Sequence, residues 1–233
     1  MLFDFGGTLD ADGIHWAPRF HAAYQSAGGG LDYPAFELCF RASDLELERL
    51  PGIRSLGFRA MIEAQARLVC RLVADGARVE AGAIAASFHA AAVATAARNR
   101  PVLDRLSRGH RLGVVSNFTG NLGVCLDELD LGRWFEVVTD SALAGVSKPD
   151  PRIFGETLER LGVPPAGAWM VGDNYESDIR PAVALGMRTC WLAPPDRPAP
   201  PGPAPTARIA RLTDVETALR ERTAPRGSGA CTA

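Results

Sequence analysis

Asp4-Phe5-Gly6-Gly7-Thr8-Leu9-Asp10 is the most chemically suggestive stretch of this 233-residue chain. It follows the apolar run Met1-Leu2-Phe3, so it reads as a buried strand that breaks into a Gly-Gly turn and delivers a carboxylate at its C-terminal edge. Open α/β sheets carry their chemistry at that edge. Gly6 and Gly7 let the backbone approach a ligand closely, and Thr8 offers a hydroxyl beside Asp4. Three later segments carry comparable groups: Ser116 with Asn117, Lys148 in a Ser-Lys-Pro-Asp-Pro run, and Asp173 with Asp178 in a Gly-Asp-Asn-Tyr-Glu-Ser-Asp run. A hydroxyl, a lysine and three carboxylates suit a phosphate and a divalent metal. Hard oxygen ligands hold Mg²⁺, the metal and the ammonium neutralise phosphoryl oxygens, and one carboxylate stays free to attack.

Such groups converge only if strands deliver them to one edge. Arg111–Asn117, Trp134–Thr139, Trp169–Asp173 and Thr189–Leu192 read as short strands, with helical patterns at about 101–108, 120–130, 151–161 and 176–185 between or before them. Strands alternating with helices imply parallel βαβ units, hence an α/β fold built on a doubly wound parallel sheet. Between the opening turn and Pro101 there is no β-pattern. That stretch divides into helical segments near 17–27, 35–49, 55–74 and 80–98, broken at Gly28-Gly29-Gly30, Leu50-Pro51-Gly52 and Asp75-Gly76. It reads as a small all-α bundle inserted after the first strand. Beyond Leu192 the proline-dense run to Pro205 reads as an extended surface linker, and residues 213–222 as a last short helix. The expected organisation is a core of 1–13 and 97–222, a helical cap of 14–96, and a disordered tail of 223–233.

Composition narrows the function classes. The chain is 47% hydrophobic and 22% charged with a net charge of −2, so it can bury a sizeable core and carries no electrostatic footprint for nucleic acid or an anionic membrane. Five scattered cysteines without Cys-x-x-Cys spacing argue for a reducing compartment and against zinc. No signal-like run precedes Asp4 and no uncharged apolar run approaches the ~20 residues that span a bilayer, so we expect a cytoplasmic protein. Of 25 basic residues only Lys148 is a lysine. A compact ammonium is not interchangeable with a guanidinium, so its solitary use invites a chemical reason.

In these motifs the sequence resembles the haloacid dehalogenase (HAD) superfamily, in particular its phosphatase-like members with a helical cap after the first strand. The resemblance rests on the opening Asp4 motif, Ser116, the run Ser147-Lys148-Pro149-Asp150-Pro151-Arg152-Ile153-Phe154, and Val171-Gly172-Asp173 through Asp178-Ile179, all in order. It implies a Rossmann-like core and a Mg²⁺-dependent hydrolase acting on a small phosphorylated metabolite. Asp4 is then the nucleophile that forms an aspartyl-phosphate, and Lys148 holds its charge and that of the phosphate. Ser116, Asn117, Gly7 and Lys148 bind the phosphoryl group. Asp4, the carbonyl of Gly6, Asp173 and Asp178 bind the metal.

One position departs from the pattern. Phosphatases of this family carry a second Asp two residues after the nucleophile, as acid to the leaving group and base to water; this chain has Gly6. A positioned acid–base is worth ~10²–10⁴ in rate. Asp10, Asp12, His15 or a cap residue could take its place, with Arg54 as a further substrate contact, or the substrate could need little protonation, as an anomeric sugar phosphate does. A catalytically weak binding or regulatory protein stays open, as does 2-haloacid dehalogenase-type hydrolysis, although that branch carries Tyr where this chain has Gly6. Phosphonate hydrolysis through a cap-lysine Schiff base is excluded, because Lys148 is the only lysine. Oligomeric state is open.

Overall fold

The computed structural model describes residues 1–73 and 79–223. Six parallel strands, β1 (Leu2–Phe3), β2 (Gly113–Ser116), β3 (Val137–Asp140), β4 (Trp169–Gly172), β5 (Arg188–Leu192) and β6 (Ala207–Ile209), lie in the order β3-β2-β1-β4-β5-β6. The chain winds outward from β1 to β3 and then returns to β4 on β1's other side, so the order reverses at β1. That reversal opens a crevice at the strand ends. Asp4, Ser116 and Asp173 all leave the sheet there: Asp4 directly follows β1, Ser116 ends β2, and Asp173 directly follows β4. The short first strand is pinned on both sides, Leu2 and Phe3 pairing with Gly113 and Val114 on one flank and with Met170 and Val171 on the other. Parallel strands covered on both faces must be apolar throughout, and β2 and β4 are wholly buried.

Four helices fill the stretch after the opening turn: α1 (Trp16–Ser26), α2 (Tyr33–Leu47), α3 (Phe58–Leu72) and α4 (Ala81–Ser107). Asp32 caps α2 by accepting from the Ala35 N–H, with Pro34 in its first turn where a missing N–H costs nothing. Phe20, Phe36, Phe40, Met61, Ile62 and Phe88 bury the facing sides of these helices. The bundle and the expected α/β core are therefore both present. The break at Asp75-Gly76 and most of the expected tail, 224–233, fall outside the described residues.

The structure corrects several element readings. The helices expected at 80–98 and 101–108 are one 27-residue helix, α4, running through Pro101. Pro101 removes one backbone hydrogen bond, but Ala92, Ala96 and Asn99 before it and Val102, Leu103 and Leu106 after it are buried and carry the helix across. The strand expected from Trp134 starts at Val137, because Gly132–Trp134 forms a 3-10 turn. The helix expected at 176–185 is a π-helical turn, Tyr175–Ile179, followed by a five-residue helix. Strand β6 was not anticipated; three residues, Ala-Arg-Ile, are too few to show alternation. No helix among the described residues is long and apolar enough to cross a membrane.

Candidate active site

Local signals explain how each segment reaches the crevice. After β1 the chain turns tightly, Thr8 and Leu9 donating to the Phe5 carbonyl. Gly7 sits at φ +92°, and a Cβ there would lie 2.5 Å from an Asp173 carboxylate oxygen, so the turn and the approach to Asp173 both require glycine. Lys148 lies just ahead of a strongly defined helix, Pro151–Leu161, which Asp150 caps through the Arg152 N–H, Pro151 opens, and Gly162 at φ +64° ends. Ile153, Phe154, Leu158 and Leu161 bury one face of that helix and hold the lysine loop in place. Asn117 ties the same loop to β2: its side chain accepts from the Lys148 N–H at 2.8 Å and donates to the Lys148 carbonyl at 2.9 Å. Asn174 starts the π-turn by accepting from the Glu176 and Ser177 N–H groups, which brings Asp178 round beneath Asp173.

The groups meet. Lys148 Nζ donates to Asp4 Oδ1 and to Asp178 Oδ1, each at 2.6 Å, and the Ser116 hydroxyl donates to the same Asp4 oxygen at 2.9 Å. Thr8 serves Asp173, donating to its Oδ1 at 3.1 Å, and the Asn174 N–H donates to Asp178 Oδ2 at 3.0 Å. Asp4, Asp173 and Asp178 each bring a carboxylate oxygen within 4.8 Å of the others, and all three are buried.

Charge is out of balance: three carboxylates share one ammonium. Burial alone would push Lys148 toward neutrality, but the charges of Asp178 and Asp4 outweigh it and hold the ammonium above its ordinary range. Burial, then the charges of Asp4 and Asp178, push Asp173 well above the usual carboxylate range. Burial also pushes Asp178 up to about 6, against the opposing pull of Lys148. All three shifts describe a site short of positive charge. Hard oxygen donors around such a deficit fit a divalent cation held by oxygen ligands, and Asp4, Asp173 and Asp178 are the side chains that would hold it.

The remaining candidates separate clearly. Asp10 is fully buried and tied by three donors, the Gly7 N–H at 2.7 Å, the Trp16 indole N–H at 2.9 Å and Arg19 at 2.7 Å. Asp12 pairs with Arg98 at 2.6 Å. Arg54 packs over Gly120 and lines a polar cavity of about 500 Å³. His15 and Gly6 line a neighbouring cavity of about 460 Å³ together with Asp4, Ser116, Asn117 and Lys148. The two cavities share Glu48, Phe118, Thr119, Ser141 and Ser147 and form one cleft.

Sequence reading missed the roof of that cleft. Phe40, Asp44 and Leu47 of α2 and Glu48, which caps its C-terminus, line it, at helical spacing that puts them on one face. That spacing is visible in the sequence; which face meets the nucleophile is not. Burial pushes Asp44 up to about 7, with Glu48 adding to it and the Gln65 hydrogen bond opposing it. Trp16 stands beside the same turn, its indole nitrogen 3.1 Å from where a Cβ on residue 6 would be.

Comparisons with known proteins bear on the family and the fold. Over 120 residues the chain is 34% identical to the pyrimidine 5'-nucleotidase YjjG of Escherichia coli, covering 51% of this chain and 53% of that protein. Over 85 residues it is 40% identical to a phosphoserine phosphatase of Thermus thermophilus, covering 36% of this chain and 34% of that protein. The matches thus span between about a third and about half of these relatives. An L-2-haloacid dehalogenase of Xanthobacter autotrophicus, solved with chloropropionic acid covalently bound, shares the fold with a TM-score of 0.58 at 19% identity, over 94% of this chain and 97% of that one. The family model for haloacid dehalogenase-like hydrolases matches residues 1–186, taking in every one of the converging groups, and the chain belongs to that family.

Proposed function

We propose that the protein is a Mg²⁺-dependent phosphatase that hydrolyses small organic phosphomonoesters through an aspartyl-phosphate on Asp4. The observation that carries this reading is the single ammonium of Lys148 shared between Asp4 and Asp178, with the Asp173 carboxylate uncompensated beside them. A phosphoryl group brings negative charge into the site, and a divalent cation bound by the carboxylates supplies charge neutralisation when present. Lys148 and Ser116 both hold Asp4 Oδ1, which fixes the carboxylate's orientation toward the cleft. Asn117, with its side chain occupied by the Lys148 loop, contributes by fixing that loop. Covalent catalysis splits the transfer into two easier displacements at phosphorus.

The relatives named for nucleotidase and phosphatase action support phosphate as the leaving or transferred group. Dehalogenase chemistry is the competing reading, and the likeness to the Xanthobacter enzyme extends to fold alone. We assign the core to 1–13 and 97–222 and the cap to 14–96, the boundary falling within the continuous helix α4, and substrate selection to the cap helices that roof the cleft. The free thiols of Cys39, Cys70, Cys125 and Cys190 support a cytoplasmic setting.

A panel of phosphorylated metabolites and an aryl phosphate, assayed with Mg²⁺ and with chelator, tests the proposal. Metal-dependent phosphate release that Asp4→Asn abolishes is the expected result. Halide release from 2-chloropropionate with no phosphate release from any ester would overturn it.

A further inference from the structure

We infer that His15 supplies the proton to the departing alcohol and takes it back from the attacking water, the role left open by Gly6. This inference rests on the phosphatase reading and assigns the acid–base group of that same site.

The argument starts from the space beside Gly6. A side chain on residue 6 would meet the Trp16 indole nitrogen at 3.1 Å, and that nitrogen is already committed to Asp10. The indole therefore crowds the point from which a residue-6 side chain would start. Asp10 is locked by its three donors and is fully buried, and Asp12 is engaged with Arg98. The vacancy in function thus has no carboxylate of the opening turn to fill it.

His15 is differently placed. It is the residue immediately before α1, with extended backbone at φ −63° and ψ 166°, and its side chain makes no capping bond. Among the described residues its imidazole has no hydrogen-bond partner, and it lines the cavity with Asp4 and Gly6. Its residue is exposed. Groups facing it are Asp4 and Asp10 from the opening turn, Arg19 from α1, Lys148 from its loop, and Asp44 and Glu48 from the α2 roof. Although the residue as a whole keeps accessible surface, protein atoms crowding the imidazole lower its pKa from 6.5, Asp4 and Asp10 oppose that, and Lys148 and Arg19 add to it. Lining the cleft beside Asp4 with no hydrogen bond to break, the imidazole is placed to give a proton and then accept one.

The steps balance. An Asp4 carboxylate oxygen attacks phosphorus, the phosphorus–oxygen bond to the alcohol breaks, and the imidazolium proton passes to the departing alkoxide. Alcohol, the aspartyl-phosphate and neutral His15 remain. Water then attacks phosphorus, His15 takes its proton, and the bond to Asp4 breaks, releasing inorganic phosphate and restoring the imidazolium and the carboxylate. One water is consumed and one ester hydrolysed.

The test uses the full chain with Mg²⁺ and a series of aryl and alkyl phosphates of rising leaving-group pKa. For His15→Gln, kcat/KM should fall by ~10²–10⁴ for alkyl esters and by only a few-fold for 4-nitrophenyl phosphate, because a good leaving group needs no acid. Phosphoenzyme should accumulate in the variant, whose second step lacks its base. The alkaline fall of kcat/KM on alkyl esters should flatten, and imidazole should partly restore His15→Ala. An equal loss across the series, or no loss, overturns the assignment while leaving the phosphatase standing. Absence of turnover on every ester by the parent chain, with no phosphoenzyme, overturns both. A melting point matching the parent's shows that the variants are folded.

Discussion

Gly6→Asp restores the family's missing acid on paper, but it sets the new side chain against the Trp16 indole, and we expect it to gain little unless Trp16 also changes. Gly6 has no left-handed backbone, so an L-residue fits its φ and ψ; the obstacle is the indole nitrogen 3.1 Å from the new Cβ. To admit even the Cβ the ring must give by a few tenths of an ångström, which strains its 2.9 Å bond to Asp10. A lost hydrogen bond to a charged acceptor costs about 1.5–3 kcal/mol, and an off-rotamer ring about 0.5–1.5 kcal/mol. The ring is also wedged edge-on against Phe5, Phe58, Phe88 and Phe118, which limits where it can go. Full loss of that bond together with an off-rotamer ring sets a ceiling of about 2–4 kcal/mol, which would lower the melting point of a chain this size by roughly 5–15 °C. The assay is a thermal melt together with kcat/KM on an alkyl phosphate. Gly6→Asp alone should melt early and turn over no faster than the parent. Combined with Trp16→Phe, it should be less destabilised than the two single changes summed, by about 1–2 kcal/mol, and should gain activity. A Gly6→Asp variant that melts with the parent and is about tenfold or more faster on its own would refute the steric argument.

Two further outcomes follow from the site's charges. Lys148→Met strands two buried carboxylates, and breaking one partner of a buried pair costs about 3–5 kcal/mol, so calorimetry should show a melting point lower by about 10 °C or more, partly restored by Mg²⁺. Asp44 has a folded pKa near 7 against an ordinary 3.8, so its stabilising effect is full below pH 4 and is lost as pH rises through 7. Asp44→Asn should therefore raise stability above pH 7 and flatten its fall with pH between about 4 and 7. The gain should be about 2 kcal/mol, half the ceiling set by ~1.4 kcal/mol per unit because the residue is partly solvated. Urea titrations at several pH values read this directly, and a parallel pH dependence in the variant would count against it.

Much of the architecture was legible because the informative signals are local. Asp150, Pro151 and Gly162 mark both ends of their helix, and the strand runs before Asp173 and after Arg111 are continuous apolar stretches that only buried parallel strands tolerate. The meeting of Asp4, Ser116, Lys148, Asp173 and Asp178 was legible for the same reason, each standing at the end of such an element. What escaped depends on contacts distant in sequence. Nothing local tells that Pro101 is carried inside one helix, that Thr8 serves Asp173 instead of Asp4, or that Trp16 occupies the space beside Gly6. The α2 face is the same case: Asp44 and Glu48 look like solvated helix charges until the cleft beneath them is known.

The solitary lysine turns the molecule into its own reporter. Apart from the α-amino group, an acylating reagent has one amine to find, and that amine is buried, protonated and clasped by two carboxylates. Most proteins treated this way give a smear of adducts from surface amines; here a single mass increment on Lys148 would mean that the clasp had opened. Intact-mass labelling against time would therefore measure how often the reaction centre comes apart, with no engineered tag or dye, and occupation of the cleft would register as slower labelling.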